Sequence, residues 1–200
     1  MKQKFLKTFL LICTAMALGM SPVFAEEKAE GTKSAEKKVT PVTELEETTK
    51  EMIENLDDNQ LLQFRAIEQS YRTIKAVEDV QSSVTRAVKS CSKANPDLEE
   101  EMSTRLRTWR DSIRPSMKEA YKKLDKMVLL QTFTKPSSMR SYLKMFDKAV
   151  AYRNQGIETV PVSEKEACLT LKKSMDESEK NLNTLLIQTL ALDRPLNTEK

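Results

Sequence analysis

The chain has 200 residues, a formal net charge of +3 and no histidine. Without histidine it has no Ser-His-Asp or Cys-His nucleophile system, no histidine metal site and no imidazole general base. Only three glycines are present, which excludes a glycine-rich phosphate-binding loop and leaves little material for tight turns. The composition therefore favours long helices.

The first 25 residues have the pattern of a cleavable signal peptide. Three lysines precede an apolar run over residues 9–20, and Val23-Phe24-Ala25 supplies a small-residue cleavage site. The apolar run is short for a bilayer span, which disfavours the alternative of a retained membrane anchor. We therefore expect export from a bacterial cell into the periplasm, with the extracellular space as the second choice.

Removal of this segment changes the charge balance. Its only charged residues are three lysines, so residues 26–200 carry 30 basic and 30 acidic side chains and no net charge. A general nucleic-acid binder is therefore not indicated.

Two cysteines, Cys91 and Cys168, remain after that cleavage. In an exported chain, an even number of widely spaced cysteines is typical of a disulfide, and we predict one here. Two buried thiols or a bond between two chains are the alternatives.

The chain after the predicted signal peptide divides into three predicted segments. Residues 26–42 are rich in Lys, Glu and Ala and have almost nothing to bury, so we expect a disordered linker. A single helical domain follows over residues 43–195, and residues 196–200 form a flexible C-terminus.

The domain begins with a predicted short acidic helix. Thr43 and Glu46 have the spacing of a capping box, and the helix is expected to end near Leu56. Asp57 and Asp58 can cap the next helix, although one continuous helix is the alternative.

A long helix is predicted from about Leu61 to Cys91, because two series of residues repeat every seven positions and interleave as a 3–4 seam. The series are Ile67, Ile74, Gln81, Val88 and Ser70, Val77, Val84, Cys91.

Three further helices follow. Asn95-Pro96 opens a helix that keeps its apolar phase through Pro115, and we expect it to be continuous with a kink near Asp111 rather than broken. A shorter helix begins at Pro136 and runs to about residue 154. After the extended residues 157–162, a second capping box at Ser163 and Glu166 opens the last helix, which Arg194-Pro195 stops.

These elements predict an all-α fold: an antiparallel up-down-up-down bundle of about four long amphipathic helices with a short N-terminal acidic helix. In such a bundle Cys91 ends one helix and Cys168 begins another at the same end, which agrees with a disulfide between them.

Most patterns that could carry chemistry have a simpler structural explanation. Ser141 and Lys144 match a Ser-x-x-Lys pattern, but no companion motif accompanies it. Glu99, Glu100 and Glu101 complement the dipole of a helix N-terminus better than they indicate a metal site. The methionines lie on apolar stripes and Trp109 lies in mid-stripe, as core residues do. We predict no catalytic residue, no cofactor and no metal.

One surface feature stands out on the second long helix. Five basic residues step by three and four beside its apolar face, as a row roughly 20 Å long that we call the cationic ridge. The ridge consists of Arg107, Arg110, Arg114, Lys118 and Lys122. It suits an acidic protein, anionic lipid headgroups or a phosphorylated glycan. The alternative is that these charges pair with neighbouring helices, including the acidic N-terminal helix.

The leading functional hypothesis is an exported, non-catalytic helical interaction protein of the cell envelope: an adaptor, an accessory subunit or a chaperone-like holder whose partner is another envelope protein. A carrier of a small molecule or lipid is the alternative, with Ser70, Gln81 and Ser178 facing a pocket inside the bundle. A carboxylate-based hydrolase ranks third, because few irregular loops are available to carry a site. A homodimer is also compatible with the long seams.

Overall fold

The computed structural model describes residues 39–158 and 160–194 of the chain. The predicted signal peptide, most of the predicted linker and the predicted flexible C-terminus lie outside these residues. Within them the fold is all-α, with no β-strand. The helices are α1 (Pro41–Ile53), α2 (Asp58–Ala94), α3 (Glu99–Leu130), α4 (Pro136–Arg153) and α5 (Lys165–Leu190), with short 3-10 turns at Pro96–Leu98 and Asn154–Gly156.

Helix α1 begins three residues before the start expected from an N-cap at Thr43. Its N-cap is Thr40, whose hydroxyl accepts a hydrogen bond of 3.2 Å from the amide of Thr43, while the Thr43 hydroxyl accepts one of 2.9 Å from the Thr40 amide. The predicted capping box of Thr43 and Glu46 is therefore wrong. Pro41 explains the difference, because its fixed φ and missing N–H suit the first helical position.

Helices α1 and α2 are separate. Asp57 caps α2 by accepting a 2.9 Å hydrogen bond from the amide of Gln60, as predicted, and the chain between Glu54 and Asp57 is not helical. At 37 residues, α2 is about 55 Å long. Six members of its predicted seam are buried, and Gln81 and Val84 are half-buried.

Helix α3 is continuous through Pro115, as predicted. Its buried side includes Trp109, which is fully buried and donates a 3.1 Å hydrogen bond from Nε1 to the hydroxyl of Ser178 on α5. Tyr121 is 40% exposed, and its hydroxyl donates a hydrogen bond to Glu78 on α2.

The ends of α5 also differ from the prediction. Glu164 precedes the helix without a side-chain cap, and the Ser163 carbonyl accepts a 2.9 Å hydrogen bond from Asn95, so the capping box of Ser163 and Glu166 does not form. At the other end the helix stops at Leu190, because Ala191 adopts a left-handed conformation with φ 46°. Lys123 of α3 then binds the carbonyl of Ala191, satisfying a group that the helix end leaves free.

The helices pack as two groups that share one core. Helix α2 contacts both α3 and α5, α3 and α5 contact each other, and α1 packs on α4. The α1–α4 group joins α2 through an aromatic cluster in which the Phe64 ring lies 5.3 Å from Tyr142 and 6.0 Å from Phe133. At the far end of α2, Cys91 and Cys168 are joined in a disulfide, and both are fully buried.

Candidate functional site

All five residues of the cationic ridge are exposed on the surface of α3. Two of them pair only with acids of their own helix: Arg114 lies 2.5 Å from Asp111, and Lys122 lies 3.5 Å from Glu119. The other three, Arg107, Arg110 and Lys118, make no ion pair with the residues that the structure describes. The ridge therefore carries positive charge that is not neutralised by neighbouring helices.

This arrangement works against the helix that carries it. Arg110 and Arg114, Arg114 and Lys118, and Lys118 and Lys122 are like-charged pairs four residues apart. Each such pair destabilises a helix by about 0.2–0.5 kcal/mol. The row therefore costs α3 some stability, and no ion pair to the described residues of another helix offsets this cost.

The alternative explanation, pairing with neighbouring helices, applies to other cations of α3. Arg105, which is half-buried, bridges to Asp176 at 2.7 Å and Glu179 at 3.0 Å on α5. No ion pair between described residues joins the ridge to the acidic helix α1, which packs on α4 instead. The charges that hold α3 to its neighbours are thus distinct from those of the ridge.

A second polar cluster joins α2, α3 and α4. Tyr71 donates a 2.6 Å hydrogen bond to Asp147, Lys75 lies 2.7 Å from Glu78 and 3.9 Å from Asp147, and Tyr121 donates to Glu78. Sequence reasoning missed this cluster because its members come from three helices and share no motif.

The electrostatics of the cluster favour its present protonation states. Burial and the hydrogen bond to Asp147 raise the pKa of Tyr71, and burial and Glu78 do the same for the pKa of Tyr121. Burial alone would raise the pKa of Glu78, but hydrogen bonds from Lys75 and Tyr121 outweigh it and lower the pKa. Since each group already has a partner within the cluster, its arrangement serves to link the three helices.

Two surface grooves flank α2. One, between α1, α4 and α2, has a volume of about 410 Å³. Its apolar wall is formed by Val42, Leu45, Phe146, Ala149 and Val150, and its charged lining by Glu46, Glu68, Arg72 and Arg153. The other, about 460 Å³, lies between α2 and residues 160–162 and is lined on α2 by Ser83, Arg86, Ala87, Lys89 and Ser90.

Neither groove is lined by the seam residues that were expected to face a pocket inside the bundle. Ser178 accepts the hydrogen bond from Trp109, and Ser70 donates to the Met127 sulfur at 3.8 Å. Gln81 is half-buried on α2. The two serines therefore have partners within the helix contacts.

In the described part of the chain, the residues of the remaining sequence patterns are not brought together in a site. Ser141 and Lys144 are both exposed on α4, and Glu101 pairs with Lys172 of α5. No group of three acidic, cysteine or histidine side chains placed to hold a metal occurs in the described part of the chain.

Among the residues described, none of the helices combines the length and apolarity that crossing a membrane requires. Comparison of the chain with known protein families, curated protein sequences and solved structures found no match.

Proposed function

We propose that the protein is an exported, non-catalytic helical interaction protein of the bacterial cell envelope, and that the cationic ridge of α3 is its binding surface. The observation that carries this proposal is the row of five exposed basic side chains, three of them without an ionic partner among the described residues. The lack of any histidine supports a non-catalytic role.

We infer that successive helices run in opposite directions, as in an up-and-down bundle. Contacts between α3 and α5 advance together along both helices, from Glu101 with Lys172 to Lys123 with Ala191, as expected of parallel neighbours. Contacts between α2 and α3 advance in opposite senses, from Ser70 with Met127 to Glu78 with Tyr121. This arrangement supports the proposal because α2 and α5 occupy the apolar side of α3 and leave the ridge to solvent.

A surface of this kind binds acidic partners through long-range attraction. Exposed cations raise the rate of encounter with a negatively charged partner and orient it, and salt weakens the effect. Individual exposed ion pairs contribute little, typically about 0.2–1 kcal/mol, so several must form together. We therefore expect a moderate, salt-sensitive complex with the acidic face of another envelope protein.

The test is affinity capture of the tagged protein after mild cross-linking in the cells that produce it. The wild type should retain one or two stoichiometric partners, and the variant Arg110→Glu/Arg114→Glu should lose them. A matched control is Lys144→Glu/Lys148→Glu, which makes the same charge change on exposed residues of α4. Equal capture by both variants and the wild type would show that the ridge is not the binding surface.

A broad set of incompletely folded proteins in the same experiment would identify a chaperone-like holder, and anionic lipid or glycan recovered through the ridge would identify an envelope-surface ligand. Both results keep the ridge as the site but change the partner. Circular dichroism of each variant must match that of the wild type before capture is compared.

A second candidate function, a carrier of a small amphipathic anion, is favoured by the groove between α1 and α4. Its apolar wall suits a hydrocarbon or aromatic body, and Arg153 at its end makes no ion pair with a described residue. Arg72 is already engaged, at 2.7 Å from Glu68 and 5.0 Å from the Phe146 ring centre. Arg153 is therefore the side chain we expect to bind the carboxylate.

Titration with a fluorescent fatty acid tests this candidate. Arg153→Gln should weaken binding about tenfold, since an ion pair desolvated by an apolar wall is lost. Lys148→Gln, an exposed substitution outside the groove lining, should leave binding unchanged. Equal affinity of the two variants would remove the groove as the ligand site.

A further inference from the structure

Helix α1 carries a row of acids opposite in sign to the ridge. Pro41–Ile53 contains four glutamates and one lysine. Glu44, Glu51 and the C-cap residue Glu54 are exposed and lie within about 80° of one another around the helix axis. We call these three residues the acidic stripe; it faces away from half-buried Leu45 and Met52.

The acidic stripe and the cationic ridge are opposite in charge, and the stripe is short enough to lie along the ridge. The acidic stripe from Glu44 to Glu54 is about 15 Å long, and the ridge from Arg107 to Lys122 is about 22 Å long, so the stripe can lie along about two thirds of the ridge. Successive charges are three or four residues apart in the ridge, and seven and three residues apart in the acidic stripe. Both rows therefore follow the turns of a helix, so opposite charges can face one another along two helices that lie side by side.

The acidic stripe and the cationic ridge do not pair with each other within one molecule. Helix α1 packs on α4, and no ion pair between described residues joins it to α3. The same chain thus presents an acidic row and a basic row on two different helices. Surfaces with this property are complementary between two copies of one chain.

We propose that the ridge binds the acidic stripe of a second copy of this chain. In a two-fold dimer each α1 lies along the α3 of its partner, so the same contact forms twice. This inference rests on the proposed function, because it uses the ridge as a binding surface, and it puts a second copy of this chain there in place of a different envelope protein. The contact is electrostatic and exposed, so the dimer dissociates as salt is raised.

Charge exchange between the two rows provides the experiment. Variant A is Arg107→Glu/Arg110→Glu/Arg114→Glu/Lys118→Glu, which changes the net charge of the ridge from +5 to −3. Variant B is Glu44→Lys/Glu51→Lys/Glu54→Lys, which changes the net charge of the acidic stripe from −3 to +3. Both rows are then acidic in A and basic in B. Sedimentation velocity at low salt should show a dimer for the wild type. For A alone and B alone it should show a dissociation constant raised about tenfold or more.

The decisive sample is an equimolar mixture of A and B, in which the two rows are again complementary between the two chains. It should associate with an affinity close to that of the wild type, as should a single chain that carries all seven substitutions. The control Lys144→Glu/Lys148→Glu should dimerise like the wild type. Circular dichroism confirms that each variant is folded.

The inference would be overturned by a wild type that stays monomeric up to about 100 µM, the range of weak complexes, or by a mixture of A and B that does not associate. A dimer insensitive to salt would also overturn it, since that dimer is held by other contacts. If the wild type is monomeric while partner capture still depends on the ridge, only self-association fails. If capture is also independent of the ridge, the proposed function fails with it.

Discussion

Reduction of the disulfide should remove a large part of the stability of the fold. Cys91 and Cys168 are separated by 77 residues, and both are fully buried where α2 ends and α5 begins. In the chain-entropy model, closing a loop of that size restricts the unfolded chain by about 15 cal/mol/K, or about 4.5 kcal/mol at 25 °C. Because native domains have only about 5–15 kcal/mol of stability, a large share of the margin depends on this one bond.

Urea unfolding followed by circular dichroism measures the effect. At a typical slope of about 2 kcal/mol/M, the midpoint should fall by about 2 M when reductant is added. The slope should also rise, because an unlinked unfolded chain exposes more surface. Cys91→Ala/Cys168→Ala serves as the control: its midpoint should lie below that of the oxidised wild type and should not respond to reductant.

The reasoning would be refuted by a change of less than about 1 kcal/mol on reduction, since the loop-closure argument requires several times that amount. Thiol labelling of the natively purified protein gives an independent check. Two reactive cysteines after denaturation without reductant would contradict the disulfide itself.

Three further predictions concern single side chains. Lys118→Glu should raise the free energy of unfolding by about 1 kcal/mol, because two like-charged pairs four residues apart become attractive, and it should weaken partner capture. A loss of stability in urea unfolding would contradict the repulsion described for the ridge. Ala191→Gly should stabilise the protein by about 1 kcal/mol, because glycine adopts the left-handed φ of 46° without strain. Ala76→Gly, in the exposed middle of α2, should destabilise it by a similar amount, and melting temperatures that move in the same direction would refute this contrast. Burial raises the pKa of Tyr142 to about 12, above its unfolded value of about 10, so its contribution to stability is complete below pH 10 and lost as the pH rises through 12. Because the pKa values of Tyr71 and Tyr121 are also raised, Tyr142→Phe should reduce the fall of stability over that range without abolishing it, and an unchanged slope would count against it.

The helices could be predicted from sequence because their apolar periodicity is long and regular. In α3 the apolar stripe keeps phase across Pro115, and the structure confirms one continuous helix there. The seam of α2 likewise predicted Ile67, Ile74 and Val77, all of which are buried. Over more than thirty residues, many positions test the same period, so one exception such as Gln81 does not change the outcome.

The helix ends were harder to predict, because each depends on one or two local contacts. Thr40 and Thr43 both fit an N-cap, and Pro41 decides between them. At the start of α5, Asn95 binds the Ser163 carbonyl from 68 residues away, a contact that no local pattern reveals. The early stop at Ala191 similarly involves Lys123 of another helix. Caps that depend on distant partners cannot be read from neighbouring residues.

The candidate site could likewise be predicted only in part from the sequence. The ridge could be found from sequence because all its residues lie on one helix at helical spacing. The lack of ion pairs between the ridge and the described residues of other helices could not be predicted, because it depends on which helix α1 packs against. The acidic stripe was visible in composition, but only the packing of α1 on α4 makes it available to a second chain.

The most direct test of the ridge as a binding surface is site-specific photo-cross-linking in the producing cells. A photoreactive residue at Ser103, which is exposed and in line with the ridge, should yield a discrete adduct with a partner or a second copy of the chain. The same residue at Ser174, exposed on α5, should not. If Ser103 forms no more adduct than Ser174, the ridge is a solvated helix face and not a binding surface.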